Sequence, residues 1–171
     1  MITSSQQQPP TNLLDQARTL LYILGVAGRS VLRRVSHPTE LGVRTLVITE
    51  EHVLLVRHRA GLCPWSLPGG AVNKRETLVD AACREVWEET GCTIRIEHLH
   101  GIFHNFRAGF SNHIAVFTAT PLNPPQPPAG SLEIADARLV PLHALPAGVD
   151  QGSCLRIAEY QRGARGLLEQ W

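Results

Sequence analysis

The chain has 171 residues, of which 43% are hydrophobic and 18% charged, so it is long enough for one compact domain with a substantial core. Its formal net charge of +1 excludes a global attraction to nucleic acid or to an acidic membrane, so any affinity for phosphate has to be local. The four cysteines show neither a CxxC pair nor a short Cys/His spacing, which disfavours a zinc site and predicts thiols in a reducing cytoplasm.

The first 36 residues are expected to form a segment that precedes the main domain. Residues 1–11 are rich in Gln, Ser and Pro, which predicts a disordered tail. They show no export signal. From Asn12 to about Val35, apolar residues recur at helical spacing beside four arginines, which predicts an amphipathic helix. Its longest apolar run, 20–27, is too short to span a bilayer. We expect the helix to pack on the domain or on a second copy of the chain in a homodimer. The alternative is that it lies flat on a membrane surface.

Residues 37–171 are predicted to form one domain with a mixed sheet and few helices. Two strands joined by a turn at Glu50 and Glu51 are predicted because β-branched residues are frequent on both sides of it. These two strands are 42–49 and 52–58. The remaining predictions are strands 92–100, 111–120 and 133–140, helices 77–90 and 153–168, a loop with five prolines at 121–130 and a turn at 141–145. Because strands and helices do not alternate regularly, we expect a layered α/β sandwich.

Three glutamates in the predicted helix 77–90 form a candidate metal site. Glu85, Glu88 and Glu89 are three and four residues apart, so a helix places their carboxylates on one face. Carboxylates gathered in this way repel each other unless a cation lies among them. Oxygen ligands of this kind suit Mg²⁺, and Mn²⁺ accepts similar ligands. The sequence therefore predicts a magnesium site, with manganese as the alternative ion.

The rest of the same helix fits this role. Leu78, Ala82 and Val86 follow one another at intervals of four and form an apolar stripe that can pack on the sheet. Arg84 can brace the carboxylates through charged hydrogen bonds. Glu76 lies eight residues before Arg84, so a direct pair between them requires the intervening loop to fold back.

The segment from Gly70 to Cys92 resembles the Nudix box, G-x5-E-x7-R-E-U-x-E-E-x-G-U, in which U is a bulky aliphatic residue. All fixed positions match except the last U, which is Cys92; the matching residues are Gly70, Glu76, Arg84, Glu85, Val86, Glu88, Glu89 and Gly91. The likeness extends through the WSLPGG stretch that begins at Trp65 and covers about residues 40–145. It implies an α/β/α sandwich, here with an added N-terminal helix, and hydrolysis of a nucleoside diphosphate linked to another group.

The resemblance also implies roles for individual residues. Glu85, Glu88 and Glu89 match the metal ligands of the family, and the backbone carbonyl of Gly69 or Gly70 can join them. In relatives, a box glutamate or a glutamate from a later loop acts as the general base. The candidates in this chain are Glu85, Glu88 and Glu133, and the sequence leaves the choice among them open.

Candidate substrate contacts lie outside the box. Arg57, Arg59 and Arg107 can hold the non-reacting phosphate oxygens, because a guanidinium binds phosphate through two parallel hydrogen bonds. Trp65 and Phe106 can stack on a nucleobase. The alternatives are that the arginines are solvated surface charges and that the aromatic rings pack in the core or in a pocket wall.

The substrate itself is not fixed by the sequence. The resemblance implies a small nucleotide diphosphate derivative, such as a nucleoside triphosphate or a nucleotide sugar. The markers of the ADP-ribose and dinucleotide polyphosphate subfamilies are absent from 106–110, so the sequence does not decide among these substrates. His58, His104 and His113 lie near ends of predicted strands and are expected to be strand or rim residues. No stable nucleic-acid partner is expected for a nearly neutral chain. The alternative function is a non-catalytic nucleotide sensor, which the intact glutamates disfavour.

Overall fold

The structure of the chain is a computed structural model that describes residues 20, 39–62, 64–107 and 110–171. For Arg107 and Phe110 it describes the backbone alone. The predicted tail over 1–11 and the predicted helix from Asn12 to Val35 lie outside these residues, apart from Leu20.

The described residues form seven strands and two helices, which we number in chain order. The strands are β1 (Thr39–Thr49), β2 (His52–His58), β3 (Trp65–Ser66), β4 (Ile94–Arg107), β5 (Phe110–Pro121), β6 (Ile134–Pro141) and β7 (Leu167–Gln170), and the helices are α1 (Leu78–Thr90) and α2 (Gln151–Gln161). Neither helix, in the part of the chain that is described, is long and apolar enough to cross a bilayer.

The sheet is mixed, with the strand order β3-β2-β1-β5-β4-β7 and with β6 paired to β2. β1 runs parallel to β5, β4 runs parallel to β7, and the other pairs are antiparallel. β1 and β2 pair only beside their turn, at Ile48 with Val53 and at Thr49 with His52. Farther along β1, the segment 68–72 hydrogen-bonds to it instead. This separation of the two strands makes room for the glycine turn that precedes α1.

The two helices cover opposite faces of the sheet. Side chains alternate between the faces along each strand, so Leu46 and Val47 of β1 belong to different clusters. On one face, Val86 of α1 packs in the cluster that contains Val47. On the other face, Ile157 of α2 packs in the cluster that contains Leu46. The predicted α/β/α sandwich is therefore confirmed.

The end of the chain departs from the prediction. The expected closing helix from Ser153 to Leu168 is wrong in its second half, because α2 ends at Gln161. Gly163 and Gly166 both adopt the left-handed conformation, with φ of 73° and 66°, and this stops the helix. Residues 167–170 then pair in parallel with 101–104 of β4. β4 is also longer than the predicted strand 92–100.

Candidate active site

Helix α1 has caps at both ends that fix where it begins and ends. The side chain of Thr77 accepts a hydrogen bond from the backbone N–H of Asp80, at 3.1 Å, and so caps the first turn. Gly91 follows the last turn in the left-handed conformation, with φ of 64°, and its N–H donates to the carbonyl of Trp87. The helix expected over 77–90 is therefore confirmed, and its ends hold the three glutamates in register.

Two glycines bring the turn before α1 against β1 and against Glu85. Gly69 has φ of 142°, and a Cβ on it would lie 2.2 Å from the carbonyl oxygen of Val43. A Cβ on Gly70 would lie 2.6 Å from Oε2 of Glu85. Both values are far below van der Waals contact, so a side chain at either position would displace its neighbour. The absence of a side chain at Gly70 is what lets the Glu85 carboxylate rest on the turn.

Arg84 joins the loop before α1 to two of the glutamates. Its Nε lies 2.7 Å from Oε1 of Glu76, and its Nη1 lies 2.8 Å from Oε1 of Glu85 and 3.0 Å from Oε2 of Glu88. Its Nη2 donates to the carbonyl of Ala71. The loop thus folds back as the sequence requires. Hydrogen bonds from Arg84 lower the pKa of Glu76 to about 2, so Glu76 stays ionised and anchors the arginine.

The three box glutamates differ in burial. The side chains of Glu85 and Glu89 are 15% and 7% exposed, whereas that of Glu88 is 48% exposed and lies at the rim. Burial raises the pKa of Glu89 to about 8, and burial also raises the pKa of Glu85 although Arg84 opposes the shift. Within the described residues, Glu89 has one hydrogen bond, from the N–H of Gly69 at 2.8 Å, and no ion pair. A buried carboxylate with so little compensation as Glu89 is suited to binding a cation.

Arg44 lies close to this group and was not singled out from the sequence. Its Nη1 donates to the carbonyls of Gly69 and Leu67, at 2.5 Å and 3.0 Å, and so holds the glycine turn. Its charge lowers the pKa of both Glu85 and Glu89, but the effect of burial is larger. The sequence did contain a sign of this role, because Arg44 is a single charge within the apolar stretch 42–49.

His58 and Glu133 lie close to Glu89. His58 ends β2, as expected of a strand residue, and its ring is half-buried. Its Nε2 lies 3.1 Å from Oγ of Ser66, and its Nδ1 lies 3.8 Å from Oε1 of Glu133. Burial and the charge of Arg44 lower the pKa of His58, which favours the neutral ring. One ligand atom of Glu133 lies within 4.8 Å of one of Glu89, so the structure brings Glu133 close to a glutamate of α1.

The predicted aromatic contact Trp65 lies in the core. Its side chain is 6% exposed and belongs to the cluster on the α2 face. The guanidinium carbons of Arg138 and Arg57 lie 4.9 Å and 5.9 Å from its ring centroid. This geometry favours the packing alternative for Trp65, and it places Arg57 beside an indole ring.

The other predicted contacts have more varied surroundings. Arg59 donates through its backbone N–H to the carbonyl of Glu133 and through its Nε to the carbonyl of Ser131, both at 2.9 Å. Phe106 is 59% exposed, and its ring contacts those of His104 and His113, with centroid distances of 4.8 Å and 5.8 Å. The side chain of Arg107 lies outside the part of the chain that is described. Arg59 thus holds the loop that carries Glu133, and Phe106 remains open to solvent.

Comparison with known proteins adds independent findings. The family described as NUDIX domain matches residues 38–156. A MutT-like protein of Streptomyces ambofaciens is 38% identical over 69 residues, which cover 40% of this chain and 45% of that protein. Diphosphoinositol polyphosphate phosphohydrolase 2 of Rattus norvegicus is 38% identical over 71 residues, which cover 42% of this chain and 40% of that protein. The chain therefore spans less than half the length of these two relatives.

A solved structure agrees with this family match at the level of the fold. The crystal structure of a UDP-X diphosphatase is similar with a TM-score of 0.64 and 22% sequence identity. The similar region covers 91% of this chain and 84% of that one, so the sandwich is shared over most of both molecules.

Proposed function

The chain belongs to the Nudix hydrolase family, and on that premise we propose that it hydrolyses a phosphoanhydride bond in a nucleoside diphosphate linked to another group. The observation that carries the proposal is the pair of buried carboxylates on α1. Glu85 and Glu89 lie beside the turn at Gly69 and Gly70, and burial raises the pKa of both. A catalytic site commonly holds ionisable groups in such an unfavourable state.

The donor atoms of this site fit a hard divalent cation, which we propose to be Mg²⁺, with Mn²⁺ as a substitute. The ligands would be Glu85, Glu88 and Glu89, together with the carbonyl of Gly70. That carbonyl accepts a hydrogen bond from the N–H of Val43 at 2.9 Å and keeps a second lone pair. A bound cation of this kind neutralises phosphate charge and lowers the pKa of a bound water.

The residues around the carboxylates have separate tasks in this proposal. Arg84 is a positioning residue, because its hydrogen bonds fix the carboxylates of Glu85 and Glu88. A glutamate takes the proton of the attacking water, and the water attacks phosphorus in line with the leaving oxygen; general bases contribute about 10²–10⁴-fold to rates. The candidates are Glu85, Glu88 and Glu133. Replacing each by Gln identifies the base as the residue whose loss removes the acidic limb of the pH–rate profile.

We propose that the substrate is a nucleoside triphosphate or a nucleotide sugar. Arg57, Arg59 and Arg107 are candidates to bind phosphate oxygens, and the exposed ring of Phe106 is a candidate to stack on the base. The rat relative is named for diphosphoinositol polyphosphate, which shares the diphosphate group. A cytoplasmic location and a homodimer stay predictions from the sequence.

The experiment that tests this function is a phosphate-release screen with Mg²⁺ or Mn²⁺. The panel contains nucleoside triphosphates, nucleotide sugars, ADP-ribose, dinucleoside polyphosphates and a diphosphoinositol polyphosphate. We expect metal-dependent turnover of at least one class and a loss of about 10²–10⁴-fold in Glu85→Gln. Glu51→Gln is the matched control, because Glu51 is an exposed residue of the β1–β2 turn, and it should turn over at the wild-type rate. Metal binding without turnover of any compound would instead favour the non-catalytic sensor.

A further inference from the structure

One nitrogen of His58 is placed as a metal ligand would be. Nδ1 is buried and has no hydrogen-bond partner within the described residues. The other ring nitrogen, Nε2, is paired with Oγ of Ser66 at 3.1 Å. When Nε2 carries the proton and donates it to Ser66, the Nδ1 atom presents a lone pair. A hydrogen bond on the second nitrogen is also how proteins orient a histidine that binds a metal.

Two carboxylates face this nitrogen at distances that suit a shared ion. One ligand atom each from His58, Glu89 and Glu133 lie within 4.8 Å of one another. The distance of 3.8 Å between Nδ1 of His58 and Oε1 of Glu133 is too long for a hydrogen bond. Two donors on one ion are separated by about 3–4 Å when each metal–ligand bond is about 2.1 Å. The separation of Nδ1 of His58 and Oε1 of Glu133 therefore falls in the range of two donors on one cation.

The three ligands come from separate elements that the fold locks together. His58 ends β2, Glu89 is on α1, and Glu133 immediately precedes β6. Arg59, which directly follows His58, binds the Glu133 loop through two hydrogen bonds, to the carbonyls of Glu133 and Ser131. The loop is closed further by Oγ of Ser131, which accepts from the N–H of Ile134 at 3.0 Å. These hydrogen bonds therefore hold the loop that carries Glu133 close to His58.

We propose that His58, Glu89 and Glu133 form a second divalent-cation site, which shares Glu89 with the site of the Nudix box. The box offers oxygen donors alone, whereas this site adds an imidazole nitrogen. A mixed set of nitrogen and carboxylate donors selects a transition-metal dication over Mg²⁺, which prefers oxygen and keeps its waters. The site goes beyond the proposed hydrolysis, because it is a binding property that exists without substrate. It makes Glu133 a ligand and leaves Glu85 and Glu88 as the candidates for the base.

The test uses untagged, metal-free protein titrated with Mn²⁺ alone and measured by pulsed electron paramagnetic resonance, which detects ¹⁴N bonded to the ion. We expect the wild-type protein to show the coupling of one imidazole nitrogen. His58→Gln should lose that coupling and bind one equivalent of Mn²⁺ at least about tenfold more weakly. The matched control is His52→Gln, at the exposed start of the same strand, and it should keep both. Absence of the coupling in the wild-type protein, or its persistence in His58→Gln, overturns the proposal.

A second variant, Glu133→Gln, keeps the proposal testable if His58→Gln fails to fold. The side chain of Glu133 is 53% exposed, so Glu133→Gln should leave the fold intact while it weakens the nitrogen-coupled Mn²⁺ by about tenfold. Wild-type affinity in Glu133→Gln also overturns the site. The two proposals can fail separately: turnover without the nitrogen coupling rejects the second cation site alone, and the coupling without turnover rejects the hydrolase function alone.

Discussion

Two glutamates of nearly equal burial lie on opposite faces of the sheet and have opposite electrostatics. Glu89 of α1 is 7% exposed and Glu159 of α2 is 6% exposed. Glu159 accepts two hydrogen bonds from Arg156, at 2.7 Å and 2.5 Å, and lies 3.2 Å from Nε2 of His100. Burial acts to raise the pKa of Glu159, but the hydrogen bonds from Arg156 and His100 outweigh it and the pKa falls. For Glu89 burial prevails, and the pKa rises to about 8.

The difference separates a structural carboxylate from the one that we propose to be functional. Arg156 gives Glu159 a complete ionic partner inside the protein, and its guanidinium carbon lies 3.7 Å from the ring centroid of Phe103. Glu89 receives one backbone N–H and the more distant charge of Arg44. A buried charge is costly unless it is paired. The fold therefore completes the ion pair on the α2 face, whereas Glu89 on the α1 face has no such partner among the described residues, which is why we propose it as a cation ligand.

The largest expected effect is on activity, from Glu89→Gln. The amide keeps the size of the side chain and an oxygen for the N–H of Gly69, but it removes the negative charge that would bind the cation. Turnover of the cleavable substrate should fall at least about 10²-fold with the fold retained, because a bound cation contributes several kcal/mol of charge stabilisation. Glu159→Gln is the comparison, and its turnover per folded molecule should stay at the wild-type value. Equal losses in the two variants would remove the distinction between the two carboxylates.

The next effect is on stability, from Arg156→Leu. This change leaves Glu159 buried without its partner, which should lower the free energy of unfolding by about 3–5 kcal/mol. Arg162→Leu is the control, because Arg162 is exposed at the end of the same helix, and it should change stability little. Urea unfolding measures both variants. A loss below about 1 kcal/mol in Arg156→Leu would mean that the pair on the α2 face is not a structural requirement.

A smaller effect comes from adding a methyl group to one glycine on each side. Gly70→Ala should push the Glu85 carboxylate out of place and lower kcat about 10²-fold, because displacements near 1 Å have costs of this size. Gly152→Ala meets the indole of Trp171 at 2.2 Å on the α2 side, so it should reduce stability and leave kcat unchanged. Enzyme kinetics together with thermal unfolding separate the two outcomes. Normal kcat in Gly70→Ala would show that the turn does not position Glu85.

The smallest effect is the pH dependence of the metal-free protein. The pKa of Glu89 is higher in the folded chain than its ordinary value of 4.5, so its contribution to stability is present below pH 4.5 and is lost as pH rises towards about 8. In the presence of a chelator, the wild-type protein should therefore lose stability relative to Glu89→Gln as the pH rises from 5 to 8. The measurement is the free energy of unfolding of both proteins at several pH values. Parallel pH profiles would contradict the raised pKa.

The sequence predicts best where local chemistry decides the structure. Helix α1 begins and ends where Thr77 and Gly91 cap it. The spacing of its box glutamates predicts that they share one face of the helix. The prediction that a helix continues to Leu168 is wrong because Gly163 and Gly166 stop the helix, and residues 167–170 then pair with β4, a partner that local propensity does not reveal. Arg44 was missed for the same reason, since its contacts are with the turn 25 residues farther along the chain. The pattern shows which residues are chemically able to act, and the fold shows which of them meet.

The most direct test of the account is calorimetric titration of Mg²⁺ into the metal-free protein, in the presence of a non-hydrolysable pyrophosphate analogue. The account predicts saturable uptake in the wild-type protein, and binding that is at least about tenfold weaker in both Glu85→Gln and Glu89→Gln. Absence of saturable uptake in the wild-type protein, or unchanged affinity in both variants, would contradict the claim that the buried carboxylates of α1 exist to hold a cation.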